Sequence, residues 1–143
     1  MKKPMKKLSL LATSVATLLL SSCSPFVSHW SAKMFIHSSN SHSASMSFDE
    51  FKGLIVFNMR CRDDTYNALT YDLKLTEGKF NISYAYAEDD VKEVLTIEGT
   101  DSKEGWVALP KEGEFYLLVE SEETSKSGDF KFELKSYSDL LFA

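Results

Sequence analysis

From Ala44 onward the chain alternates apolar and polar residues in short runs broken by glycine, aspartate, asparagine and serine. A strand sends successive side chains to opposite faces, so a period of two describes a sheet with one buried side. In ASMSF, Ala44, Met46 and Phe48 share a face, and LIVFNMRC follows Gly53. In TYDLKLTEG, Tyr71, Leu73 and Leu75 point one way while Thr70, Asp72, Lys74 and Thr76 point to water. Glu77-Gly78 supplies the turn into KFNISYAYA, where Phe80, Ile82, Tyr84 and Tyr86 share a face. VKEVLTIEG, WVALP, EFYLLVES and DFKFELK follow, several bounded by Gly99, Gly105, Gly113 or Gly128. About eight such runs at short spacing predict an all-β fold, an antiparallel sandwich or barrel over residues 44–143. Only residues 89–94 and the tail 137–141 have room for a helical turn. Roughly 100 residues with this aromatic and aliphatic content bury enough apolar area to stand without crosslinks.

The N-terminus has a different character. In MKKPMKKLSLLATSVATLLLSSC, Lys2, Lys3, Lys6 and Lys7 precede an apolar run over residues 8–20. The run is shorter than the roughly 20 residues a permanent membrane helix needs, and it suits the core of an export signal. At its exit, Leu20-Ser21-Ser22-Cys23 resembles the lipobox of bacterial lipoproteins. The resemblance implies cleavage after Ser22, a diacylglyceryl group on the Cys23 thiol, and attachment to the extracytoplasmic face of the cell membrane. Residues 1–22 are then a signal peptide. The Ser-rich segment 23–43 reads as a lipid-anchored tether, although Phe26, Val27, Trp30, Met34, Phe35 and Ile36 are too apolar for a pure spacer and suggest that part of it docks on the domain or the membrane interface.

Charge narrows the partners. Four of the 16 basic residues and none of the 21 acidic ones lie in residues 1–22, so the remainder carries a formal charge of −9. Nucleic acid demands clustered Lys and Arg and is excluded on that ground. With Cys23 assigned to lipid, Cys61 is the one other cysteine of the two, so no internal disulfide framework is available. Cys61 lies in a strand-like run, where a buried, inert thiol is expected. His29, His37 and His42 all lie upstream of it, with neither the spacing of a nucleophile's base nor that of a four-ligand zinc site.

A second resemblance lies in the order of runs. YDLKLTEGKFNISY, followed by WVALPKEGEFYLLVESEETSKSGDFKFELK, is similar to the small jelly-roll sandwiches of the bacterial pre-peptidase C-terminal type and of uncharacterised Gram-positive lipoproteins. It is a layout of strands and turns across about residues 53–135, and it implies the fold alone.

Candidate binding residues are few. Asp63 and Asp64 form one acidic corner and Asp89 and Asp90, after Glu88, another; such oxygen-rich loops hold calcium in some sandwiches, but the spacing is no EF-hand and solvated turns suffice. Among Tyr66, Tyr71, Tyr84, Tyr86, Trp106 and Tyr116, most alternate with aliphatics and read as core, which leaves Tyr66 and Trp106 as exposed aromatics for a ligand. No Gly-x-Ser-x-Gly, His-Glu-x-x-His or glycine-rich phosphate loop occurs, so neither an enzyme nor a cofactor is expected. Two function classes stay open: a noncatalytic module binding an envelope polysaccharide or protein, and an accessory or sensory lipoprotein responding to a cation or small ligand.

Overall fold

A single antiparallel ladder of long strands, folded in half across its middle, accounts for almost the whole chain. The computed structural model describes residues 26–141; Cys23 and the expected signal peptide lie outside the described residues. The strands are β1 (His29–Lys33), β2 (Ile36–Ser39), β3 (Ser43–Cys61), β4 (Ala68–Glu77), β5 (Lys79–Ala85), β6 (Val91–Glu98), β7 (Asp101–Ala108) and β8 (Gly113–Lys135), followed by one helical turn, α1 (Tyr137–Leu141).

The pairing shows how two layers arise from one ladder. In the first layer β2 pairs with the start of β3, which pairs with the end of β8, then β4, then β7. In the second, β1 pairs with the middle of β3, which from Gly53 onward pairs with the first part of β8, then β5, then β6. β3 and β8, of 19 and 23 residues, belong to both layers. β1 continues into β2, β4 into β5, and β6 into β7, so five rows of chain all bend along one line. That line passes through Met34, Gly53, the residues between Ser121 and Ser125, Gly78 and Gly99. β8 returns from the chain's end to the centre, between β3 and β4, which is the non-sequential order of a jelly roll.

Each bend has a local cause. In β3 the buried side chains run Ala44, Met46, Phe48 and then Phe51, Ile55, Phe57, Met59. The even positions give way to odd ones at a register shift between Phe51 and Gly53, which keeps the same side of the strand inward past the corner. β8 makes the matching switch, from Phe115, Leu117 and Val119 to Phe130, Phe132 and Leu134. Its corner holds two fully buried hydroxyls whose protons are all placed. The Lys79 amide donates to Ser125 Oγ at 3.1 Å, the two serine oxygens are 2.7 Å apart, and Ser121 Oγ donates to the Glu123 carbonyl at 2.6 Å. Buried polar atoms so paired fix the corner geometry instead of destabilising it. Beside them, Gly78 has a φ of 116°, and its amide-bearing neighbour across the line, Gly99, donates to the Gly78 carbonyl at 2.8 Å.

The fold line is also the centre of the core. Phe48 and Phe130 from the first layer, Phe80 from the second and Phe51 at the bend form a ring cluster with centroids 4.8 to 5.8 Å apart. Two of these contacts, Phe48–Phe130 and Phe80–Phe130, are edge-to-face, an arrangement that aromatic quadrupoles favour.

The all-β sandwich and its buried faces are as the alternation predicts. The strand boundaries differ in instructive ways. ASMSF and LIVFNMRC are one strand bent at Gly53, and EFYLLVES and DFKFELK are one strand bent at the serine pair. Within the segment expected as a tether, residues 23–43, β1 and β2 are hydrogen-bonded to β3 as the edge of the sheet. Their Ser-rich composition conceals this because an edge row is exposed on both faces and carries no alternation. Of residues 89–94, the first two complete the β5–β6 turn and the rest open β6 instead of a helical turn, while the tail does form one.

The corner makes a stability prediction with an internal control. Gly78 and Gly113 share nearly the same backbone, φ of 116° and 123°, but a β-carbon on Gly78 would fall 2.1 Å from Ser125 Oγ, whereas at Gly113 nothing lies within 4 Å. Gly113→Ala is expected to cost about 1 to 2 kcal/mol from its backbone conformation alone. Gly78→Ala is expected to cost about 1 to 3 kcal/mol more through overpacking, read as the difference in urea midpoints at constant m-value.

Candidate functional site

The outer face of the first layer presents a platform built by register. β4 lies between β7 and β8, so Thr70 stands beside Trp106 on one side and Glu133 on the other, and Asp72 stands beside Glu104 and Lys131. Period two sends these side chains outward while Leu69, Leu73 and Leu75 go to the core. At the end of β8 the chain turns into α1, which brings Tyr137 to Trp106 with ring centroids 6.1 Å apart and planes at 58°. Leu140 closes the same side of a groove of about 480 Å³ whose floor is the Thr70 and Asp72 rows.

The groove combines an exposed aromatic wall with unused polar groups. Trp106 keeps 36% of its surface exposed although it lies on a strand. The Thr70 hydroxyl donates to the Glu133 carbonyl at 2.8 Å and so turns its lone pairs outward. Glu133 and Lys135 form an exposed ion pair at 3.8 Å, which solvent screens. Asp72, Glu104 and Lys131 form no ion pair among the described residues, leaving two carboxylates and one ammonium available to a ligand.

One side chain positions the aromatic wall. Asn67, just before β4, makes four hydrogen bonds. Its amide donates to the Lys135 carbonyl at 3.1 Å and its carbonyl accepts from Leu109 at 2.9 Å. Its Nδ2 donates to the Asp63 carbonyl at 2.6 Å, and its Oδ1 accepts from the Tyr137 amide at 2.8 Å. The last bond satisfies a helix-start N–H from a distant part of the chain and holds α1 against the end of β4. Tyr137 and Asn67 are both missed by reasoning from sequence. The tail gives no strand or helix long enough to show a face, and an asparagine before a strand reads as an ordinary turn residue.

The other sequence candidates lie elsewhere. Tyr66 is half-buried and stacks face to face on His42, with centroids 4.9 Å apart and planes at 9°; neither ring lines the groove. Asp63 and Asp64 are exposed at the tip of the loop closed by the Arg62–Tyr66 pairing. Asp89 and Asp90 lie in the β5–β6 turn, where Asp90 pairs with Lys92 at 3.3 Å. Among the described residues, no three or more His, Cys, Asp or Glu side chains gather as a metal site would require.

Cys61 is buried and forms no disulfide. Burial pushes its thiol pKa up from 9.0, partly offset by a hydrogen bond with Tyr86, and Asp63 and Glu112 add to the rise. A thiol held protonated is a poor nucleophile. Burial likewise raises Tyr86, whose hydroxyl donates to the Lys111 carbonyl at 2.5 Å beneath the Lys111 ammonium. The pair closes the end of the sandwich opposite the fold line.

No protein-family model matches the chain and no curated relative matches it, so neither the lipoprotein nor the pre-peptidase C-terminal resemblance gains support there. Among solved structures, the chain is similar to TmCBM61 in complex with beta-1,4-galactotriose, at 12% identity and a TM-score of 0.42 over 79% of this chain and 89% of that one. It is similar to a mutant of a family 29 carbohydrate-binding module, at 14% identity and a TM-score of 0.40 over 75% and 77%. It also resembles Drosophila melanogaster CENP-C bound to CAL1, at 13% identity and a TM-score of 0.30 over 79% and 83%. Such loose superpositions support no residue correspondence, and the site rests on its own geometry.

Two measurements follow. Asn67→Ala is expected to free α1, so that Trp106 emission shifts toward the red and near-ultraviolet dichroism from the Trp106–Tyr137 pair falls while the far-ultraviolet sheet spectrum is kept. The raised Cys61, Tyr84 and Tyr86 values contribute to a loss of stability at alkaline pH. In the unfolded chain these groups ionise near their ordinary values of 9.0 and 10.0, whereas the fold keeps them protonated. Their contribution is therefore whole below pH 9 and declines as pH rises toward their folded values. Thermal melts from neutral to alkaline pH are expected to show that decline, with a shallower slope in Tyr86→Phe.

Proposed function

We propose that this chain is a noncatalytic binding module of the cell envelope, an extracytoplasmic lipoprotein held through Cys23, whose groove takes a polysaccharide. The observation that carries the reading is Trp106, braced by Tyr137 and lining a groove with Asp72, Glu104 and Lys131, which form no ion pair among the described residues. A sugar ring offers an apolar C–H face and a rim of hydroxyls. The aromatic wall matches the face, and the carboxylates and ammonium match the rim.

An open groove on a rigid sheet also suits a polymer better than a small solute. Strands hold side chains at fixed spacing, so the platform is preorganised and little ordering is needed on binding. The mean charge of the domain is negative, which disfavours polyanions and favours neutral or amino-bearing glycans. Lipidation of Cys23 would place the module outside the cytoplasm, where such polymers are found.

The test uses purified peptidoglycan sacculi and an array of bacterial wall and capsule glycans as probes. The wild-type chain is expected to bind at least one of them. Trp106→Ala is expected to weaken that binding by tenfold or more, about 1.4 kcal/mol, with little change in stability because the ring is partly exposed. Tyr137→Ala is expected to act in the same direction. Glycan binding unaffected by both substitutions, or no binding to any probe, sinks the proposal.

A further inference from the structure

The row formed by β1 and β2 is the edge of the sheet farthest from the groove, and it differs from the rest of the surface in two respects. It gathers exposed apolar side chains among its serines and histidines: Val27, just before β1, is 72% exposed, Met34, between the strands, 75%, Ile36 73% and Trp30 42%. It is also free of acid. All 21 acidic residues lie at Asp49 or later, so β1 and β2 themselves carry only Lys33 and histidines among titratable groups; Glu50 pairs with Lys33 at 3.7 Å, and Glu120 and Glu122 share the cleft that Trp30 lines. We propose that this edge rests on a lipid bilayer surface, with Trp30, Met34 and Ile36 in its interfacial zone.

The apolar residues are held in place by the fold. Met34, at a φ of 52°, is the tip of the bend between β1 and β2. Trp30 packs on Phe35 and His37 at 5.4 and 5.7 Å, and Phe35 reaches the buried Phe51 at 5.2 Å. The tryptophan therefore projects from a rigid aromatic stack at the margin of the core. Amphipathic rings of this kind favour the boundary between headgroups and acyl chains.

Chain length chooses the occupant. The inference rests on the lipoprotein reading, in which Cys23 carries acyl chains in the bilayer. From Cys23 to Phe26 is three residues, at most about 11 Å of fully extended chain. Phe26 is fixed on the second layer by its ring against Tyr116 at 5.6 Å, and Ser28 Oγ accepts from the Val56 amide at 2.9 Å just before β1. So short a leash keeps the β1 margin of the domain at the membrane surface. Charge selects among the surfaces within reach. The cytoplasmic membrane of bacteria presents anionic lipid, which repels faces rich in Asp and Glu and tolerates strands that contain neither. Acyl chains supply the affinity, and the edge supplies orientation.

The experiment exploits the chain's two tryptophans, Trp30 and Trp106, which lie on opposite edge rows. The full chain is produced in a lipoprotein-processing bacterial host, and the mass of its N-terminus is measured. It is then reconstituted into vesicles of phosphatidylethanolamine and phosphatidylglycerol, with and without acyl-brominated phosphatidylcholine. Native protein is expected to lose part of its tryptophan emission to the brominated chains. Trp30→Phe, which emits from Trp106 alone, is expected to lose none. Met34→Asp with Ile36→Asp, at positions exposed enough to leave the fold intact, is expected to remove the quenching while keeping both tryptophans, and it carries the comparison if Trp30→Phe fails to fold. Acylated Cys23 with native quenching no greater than in either variant overturns the docking edge and leaves the anchor standing. An unmodified Cys23 overturns the anchor, and the docking edge with it.

Discussion

Bending five rows of β-chain along one line is the constraint from which the rest of this structure follows. A long strand resists a sharp bend because its ladder hydrogen bonds must break and its side-chain phase must be kept. Here each row meets that requirement by its own device: a positive-φ Met34 between β1 and β2, a bulge before Gly53, paired serine hydroxyls at Ser121 and Ser125, and glycines at 78 and 99. The devices are also mutually bonded, since Lys79 donates to Ser125 and Gly99 donates to Gly78. These bonds tie the bends of β8, of β4 into β5 and of β6 into β7 into one seam. With the seam in place, the four phenylalanines nearest it are brought from separate layers into one cluster.

This economy explains which parts of the fold are legible in the sequence. Alternation shows which side chains are buried in β4, β5 and β8, because a two-faced sheet writes its faces at period two. It misplaces the strand ends because a bulge resets the phase. A reader following Ala44, Met46 and Phe48 meets a break before Phe51, although the backbone runs on. β1 and β2 fail differently. Almost every residue in them is exposed, so the pattern that marks a strand is absent, and only pairing with β3 defines them.

The site divides in the same way. Trp106 is recognisable as a ring next to a loop, out of step with the aliphatic positions around it. Its partner is invisible in sequence because Tyr137 lies 31 positions downstream and is placed by Asn67, whose four bonds join regions that only the fold brings together. Tyr66 looked equivalent to Trp106 by composition and neighbours. What separates them is His42, which lies flat on the Tyr66 ring and occupies the face a ligand would need. Whether an aromatic is available thus depends on tertiary partners that local pattern does not encode.

A folded ladder has two free edges, and here they have opposite chemistry. The strands of the β1–β2 edge contain no acidic residue and set exposed apolar side chains among serines and histidines, and the β7 edge carries Trp106 beside Glu104 and Asp72. The order β1, β3, β8, β4, β7 separates them by four interstrand steps, about 19 Å at ordinary spacing. With lipid at the first edge, the groove at the far edge faces away from the bilayer, beyond the reach of headgroups. The acidic surface between them reinforces that orientation, since rotating the groove toward an anionic membrane would bring carboxylates against it. On the proposed reading, anchor, charge and groove would then favour the same pose, in which a polymer meets Trp106 from the side opposite the membrane.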